Sequence, residues 1–243
     1  MLPLICIYLW FNLTMDILHQ DDQILVLNKP AGLSVLPEGW EPDAPYLRQM
    51  LEEEYGHPSI SSGRRIWVVH RLDKITSGVM VFARTAEAHR ELNRQFERHE
   101  VEKVYQAIVE GLPPWEEHTA RHMLQTNVGR KHRTVVVHKK GKNSETQFIV
   151  LKRGYPVRHK QALALVEAYP KTGRTHQVRA HLSALGFPLL GDVLYGASKT
   201  ALIDRPALHA YSLGFTHPIS GERLNFIANP PDDFLEVLNR LEV

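Results

Sequence analysis

The residues best equipped for chemistry lie in one stretch, His70-Arg71-Leu72-Asp73. It sets a guanidinium and a carboxylate two residues apart, between the apolar runs Ile66 to Val69 and Val79 to Phe82. A positioned, ionised carboxylate can serve as a nucleophile or a base. Both runs are short and rich in β-branched residues, which predicts buried strands. Thr76-Ser77-Gly78 between them is turn chemistry. Asp73 is therefore expected on a loop at the mouth of a sheet, where rigid scaffolds present functional groups. The competing reading is a loop salt bridge or turn cap, because opposite charges on one loop are commonly inert.

A second informative stretch runs Pro170-Lys171-Thr172-Gly173-Arg174-Thr175-His176-Gln177-Val178-Arg179. Thr175 is placed to cap a helix whose apolar side is Val178, Leu182 and Leu185, with Gly186 ending it at C′. Lys171 and Arg174 then sit at a strand-to-helix turn, where unpaired backbone N–H groups help hold an anion. Exposed turn cations with no partner are the bland alternative. Asp73 beside Arg174 would make a charge pair that keeps the acid ionised and oriented. Spacing alone does not bring the two together, so that contact is an expectation.

Residues 121–142 hold seven Lys or Arg and no Asp or Glu: Arg121, Arg130, Lys131, Arg133, Lys139, Lys140 and Lys142. Such runs are usually solvated faces. Here the strand-like Thr134-Val135-Val136-Val137 interrupts the cations, so a folded surface can carry them against a phosphate backbone. The whole chain, at a formal net charge of +2, does not announce a nucleic-acid binder, and any basic footprint must be local.

Other chemistries lack their residues. There is no phosphate-cradling Gly-Lys loop, no dinucleotide glycine fingerprint and no serine elbow. His118 and His122 are four apart and suit one helix face, but no further metal ligands accompany them. A metal site is not expected. Cys6, the one cysteine, excludes an intramolecular disulfide and a cysteine-rich zinc ribbon.

Across 243 residues, 43% hydrophobic, the chain suits one large domain or a domain with an appendage. Residues 1–14 carry no charge; as a helix they would be roughly 20 Å long, short of a ~30 Å hydrocarbon core. No basic start or small-residue cleavage site marks a secretory signal. The segment is read as an extension upstream of an ordinary start at Met15, with a short membrane-surface anchor as the alternative.

The elements that must position the acid are mostly strands. Strands are predicted at 24–27, 101–110, 145–151, 162–168, 208–216 and 224–227, and extended backbone at 33–35. Helices are predicted at 46–55, 86–99 with Thr85 as N-cap, and 232–241. Tyr105, Ala107 and Val109 should share one strand face, with Val104 and Ile108 on the other. Short turns between strands favour an α+β fold, a mixed and mainly antiparallel central sheet with flanking helices, over a doubly wound one.

His70-Arg71-Leu72-Asp73 followed by Thr76-Ser77-Gly78 resembles the signature of the RluA-type family of RNA pseudouridine synthases. The resemblance extends in order to Asn28-Lys29-Pro30-Ala31-Gly32, Lys103-Val104-Tyr105-Gln106-Ala107, the Lys171 to Arg179 stretch and Pro188-Leu189-Leu190-Gly191-Asp192. It covers roughly residues 16–228. It implies the pseudouridine synthase catalytic fold over residues 15–243, without the small S4-type RNA-binding domain that many members carry. It implies Asp73 as the essential acid, Tyr105 as the ring that packs on uracil and serves proton transfer, and Arg174 as the arginine pairing with the acid. Arg71, beside His70, would enter the RNA stack; Leu190 would line the pocket; Lys171 would hold the site together. No metal or organic cofactor is implied. The partner would be ribosomal RNA, transfer RNA or both, handled by a cytoplasmic monomer away from membranes, with Arg130, Lys131 and Arg133 on its phosphates. A binding protein that keeps the fold without catalysis, and a hydrolase releasing free uracil, are the competing classes.

Overall fold

The computed structural model describes residues 15–39, 43–55, 65–129, 132–156 and 161–242. The expected extension at 1–14 lies outside them, as do Arg130 and Lys131.

The chain opens with an antiparallel pair, β1 (Asp16–Gln20) and β2 (Ile24–Lys29). Asp21 makes their turn, its Oδ1 accepting from the N–H groups of Gln23 and Ile24 at 2.7 and 2.8 Å. Helix α1 (Leu47–Tyr55) follows. Residues 33–35, expected to be extended, form no strand. Instead the carbonyls of Ser34 and Val35 accept from Leu47 and Arg48, satisfying N–H groups that a helix start leaves unpaired. The run at 66–69 supplies only β3 (Trp67–Val68), which pairs with one end of β4 (Ser77–Ala83). Thr85 caps α2 (Ala86–Glu97) as its sequence predicts, its side chain accepting from Ala88 N–H.

The next strands are β5 (Glu102–Glu110), β6 (Glu117–Val128), β7 (Arg133–Val137), β8 (Lys142–Pro156) and β9 (Leu163–Pro170). His118 and His122 therefore lie on a strand and not on a helix. The short helix α3 (Gln177–Ala184) ends as expected at Gly186: Phe187 N–H bonds Leu182 C=O and Gly186 N–H bonds Ser183 C=O, with Gly186 at φ +86. A 3-10 turn (Val193–Tyr195), β10 (Leu208–Thr216), β11 (Arg223–Ile227), α3's successor α4 (Asp232–Asn239) and β12 (Leu241–Glu242) complete the chain.

The sheet runs β1-β2-β4-β10-β5-β9-β8-β6-β7. Among the described residues only the β4–β10 pairing is parallel, and the fold is the expected α+β class with a mainly antiparallel sheet. Alternate residues feed opposite faces. Leu25, Leu27, Met80 and Phe82 meet Leu47 and Leu51 of α1, and Ala107, Val109 and Val166 meet Val178 and Leu182 of α3. On the other face Val26, Val79 and Val81 meet Ala88 and Leu92 of α2, while Ile108 and Leu163 meet Phe234 and Val237 of α4. Both faces are thus covered, with β4, β10 and β5 adjoining at the centre of the sheet.

Candidate active site

Asp73 sits on the loop between β3 and β4, its carbonyl accepting from Thr76 N–H at 3.0 Å. Two cations, Lys29 buried and Arg205 partly buried, clamp the backbone of that loop. Lys29, fully buried, donates from Nζ to the carbonyls of Pro30 (2.7 Å), Leu33 (2.9 Å) and Lys74 (3.2 Å). All three ammonium protons are matched by acceptors. Burial pulls the Lys29 pKa down to about 7, against the favourable charge of Asp73. From the other side Arg205 donates to Ile75 C=O at 3.3 Å while holding Asp233 of α4 at 2.6 and 2.8 Å.

The side chain of Asp73 meets α3. Arg179 donates from Nη1 to Asp73 Oδ2 at 3.2 Å, and from Nε and Nη2 to the two oxygens of Asp192 at 2.7 and 2.9 Å. Its guanidinium lies 4.8 Å from the Tyr195 ring centroid. Burial disfavours its charge, but Asp192 and Asp73 outweigh that and raise its pKa. His176 Nε2 stands 3.5 Å from the same Oδ2. The side chain of Asp73 remains about a quarter exposed, 26%.

Polar side chains lock α3 against the sheet. Gln177 Nε2 donates to Thr146 Oγ1 and to Glu145 C=O, and its Oε1 accepts from Arg174 N–H and Thr172 Oγ1. His181 bridges Ser144 and Thr146, at 2.8 and 3.0 Å. Gln177 thus satisfies the turn that Thr175 was expected to cap. The residue at N-cap is His176, in the left-handed region at φ 53, and its side chain makes no cap bond. Tyr105 on β5 shares a strand face with Lys103. Burial first, then the charge of Asp73, raises the Tyr105 pKa above the ordinary phenol value, so it stays protonated near neutral pH. Burial, then the charge of Lys171, lowers that of Lys103.

This constellation of acid, guanidinium and tyrosine coincides with a known family. The sequence profile of the RNA pseudouridylate synthases matches residues 23–184. The chain belongs to that family. It is 38% identical over 231 residues, 91% of the chain and 71% of the relative, to a protein of Zymomonas mobilis named ribosomal large subunit pseudouridine synthase D. It is 36% identical to an uncharacterised RNA pseudouridine synthase of Bacillus subtilis, covering 93% of the chain and 73% of the relative. In three dimensions it is similar to human RNA pseudouridylate synthase domain containing 4, with a TM-score of 0.73, 28% identity and coverage of 93% and 92% of the two chains. The corresponding human protein 1 matches with the same TM-score and identity over 90% and 84%.

Within this RNA pseudouridine synthase, not every expected site residue falls where the sequence reading put it. The guanidinium on Asp73 belongs to Arg179; Arg174 makes no bond to Asp73, and its buried Nε has no partner. The physical reason is helix register: Arg174 precedes α3 in the turn, while Arg179 lies within it and faces Asp192. Leu190 is fully buried among Ile108, Leu163 and Phe234. Its N–H bonds Ile108 C=O and its carbonyl accepts from Ala207 N–H, which aims the side chain at α4. His70 turns back to the scaffold: its Nε2 accepts from Val81 N–H at 3.1 Å and its ring stacks on Phe96 at 4.8 Å. Burial and Lys103 push its pKa down to about 3. Arg71 and Lys171 are exposed beside the site, and Arg133 is exposed at the start of β7. The sequence reading missed His176, Arg179, Asp192, Tyr195 and the clamps Lys29 and Arg205 as functional positions. Among the described residues no helix is long and apolar enough to cross a membrane, and no group of three or more His, Cys, Asp or Glu is arranged to hold a metal.

Proposed function

We propose that this synthase isomerises a uridine in ribosomal RNA with Asp73 as its essential group. The observation that carries the reading is the Asp73–Arg179 contact at 3.2 Å, with part of the acid's side chain still open to solvent. An arginine that cannot lose its proton keeps the acid ionised and available to attack or to abstract a proton. The reaction conserves atoms: the bond from C1′ to N1 breaks, uracil turns, C1′ bonds to C5, and the proton lost from C5 is balanced by one gained at N1. Tyr105 is the ring on which uracil packs, its hydroxyl kept protonated by burial and Asp73. Base–aromatic stacking of this kind contributes roughly 1–3 kcal/mol per base. That offsets part of the few kcal/mol needed to unstack a uridine. Arg71 beside the acid is placed to fill the vacated stack, and the β6–β7 surface with Arg133 holds flanking phosphates. Ribosomal RNA is favoured over transfer RNA by the likeness to the Zymomonas mobilis ribosomal large subunit pseudouridine synthase D.

The test is pseudouridine formation on ribosomal and transfer RNA transcripts by the native chain and by Asp73→Asn. Product on ribosomal RNA from the native chain alone is expected. Equal product from both proteins would remove Asp73 from its role, and free uracil in place of pseudouridine would make the chain a hydrolase.

A further inference from the structure

Two side-chain nitrogens converge on one oxygen of Asp73. Arg179 Nη1 and His176 Nε2 both face Oδ2, at 3.2 and 3.5 Å, and no described residue bonds Oδ1. The histidine is itself held from behind. Its Nδ1 lies 3.0 Å from Tyr195 Oη, and that hydroxyl accepts from Thr134 N–H at 2.8 Å. Having accepted from a backbone N–H, the hydroxyl directs its own proton to the ring, so Nδ1 is the acceptor and the proton of the neutral imidazole sits on Nε2, toward Asp73. Burial lowers the pKa of the imidazole against the pull of Asp73, which favours the neutral ring.

The backbone supports the same conclusion. His176 is in the left-handed region, φ 53 and ψ 22, which residues other than Gly, Asn and Asp seldom adopt. Such conformations persist where surrounding structure over-determines them, often at functional sites. Here Thr134, 1% exposed, ties both flanks: its N–H to Tyr195, and its Oγ1 to Thr175 C=O at 2.7 Å. Thr134 is the second residue of β7, on the basic hairpin.

We infer that His176 is a positioning residue for Asp73, fixed as the Nε2–H tautomer by Tyr195, so that Oδ2 is occupied and Oδ1 is the oxygen presented to the uridine. The Thr134 contacts tie this strut to β7, so the seating of the hairpin sets the orientation of the acid. The inference rests on Asp73 being the essential group.

The test separates chemistry from binding. His176→Asn tolerates the left-handed backbone but does not reach the carboxylate; Tyr195→Phe keeps the ring under Arg179 and removes the hydroxyl. Single-turnover rates on a ribosomal RNA transcript should fall about tenfold to a hundredfold for His176→Asn, the cost of a misplaced reacting group. The Kd for the RNA should stay within about twofold, because His176 carries none of the phosphate-binding charge. In nitrogen NMR of the native protein, His176 should show the Nε2–H tautomer, and Tyr195→Phe should mix the two. A native rate in His176→Asn, equal losses in rate and Kd, or an Nδ1–H tautomer in the native protein each overturns the inference. If His176→Asn does not fold, the native tautomer and the Tyr195→Phe rate decide. Asp73→Asn run alongside distinguishes the two failures: an active Asp73→Asn sinks the reading of the acid, whereas an inactive one beside a native-rate His176→Asn sinks only the strut.

Discussion

Arg179 is shared between two acids: it grips both oxygens of Asp192, 1% exposed, and spends its remaining amino group on Asp73. Only a planar fork makes all three bonds, so a lysine of the same charge is no substitute. Arg179→Lys is expected to lower the single-turnover rate about a hundredfold through a misplaced Asp73. Arg179→Met should do more. It strands Asp192 as a buried charge, a loss of roughly 3–5 kcal/mol. Urea unfolding midpoints of the two variants check the second expectation, and an equal midpoint for native and Arg179→Met would refute it.

The displacement from Arg174 to Arg179 shows where sequence legibility stopped. The strands around the acid were readable because each has apolar residues of strand type, as in Val79-Met80-Val81-Phe82. Asp73 was readable because a turn separates two such runs. The polar residues of helix α3 went unread because amphipathic logic assigns polar residues to solvent. Every residue from Gln177 to Leu182 is buried, including Gln177, Arg179 and His181, whose partners come from β8 and from Asp192. Those partners lie 13 to 37 residues away in sequence, beyond any local pattern. β6 escaped for the opposite reason: among the twelve residues of this strand only Ala120 and Leu124 are buried, too few to print an alternation.

Gly78 is fixed by a close approach of backbones. It has φ +123, and a Cβ there would stand 2.2 Å from Ala210 O and 2.6 Å from Ala210 N, at the parallel β4–β10 contact. Neither strand can retreat, since each is paired on its other side. Gly78→Ala is expected to destabilise the fold by at least ~3 kcal/mol, from strain and the overlap together. Since Gly78 follows the Asp73–Thr76 turn, activity should fall with stability. A denaturation midpoint within error of the native one would show that the contact yields.

Two fully buried histidines make the fold sensitive to acid. His181 and His209 both have pKa values pushed down to about 4, chiefly by burial. His209 donates from Nε2 to Ala228 C=O and accepts from Ser77 at Nδ1, which requires the neutral ring. Between the folded value near 4 and the unfolded value near 6.5, the unfolded chain binds more protons. Stability therefore rises with pH across this window and is lost as pH falls through it. At pH 5 each histidine should cost on the order of 2 kcal/mol relative to pH 7.5. Urea unfolding at the two pH values measures these contributions together with that of His70, whose pKa is lowered further still, and His209→Gln should reduce the difference.

The basic hairpin carries one cation paired within the fold and another that is exposed. Arg121 is spoken for: its Nε lies 2.9 Å from Glu145 Oε2 on the adjoining strand. Arg133 is exposed at the first residue of β7, one residue before the Thr134 that ties β7 to α3. An exposed cation on a braced strand suits a phosphate, and each phosphate contact adds about 0.7–0.9 to the slope of log affinity against log salt. Arg133→Ala should lower that slope by about this amount, leaving the unfolding midpoint unchanged. Arg121→Ala should alter the slope far less, because the cation it removes is already neutralised by Glu145. Affinities measured across a salt series decide the matter: equal slopes for native and Arg133→Ala would place this face of the hairpin away from the RNA, while equal drops in both variants would show that Glu145 gives up its arginine on binding.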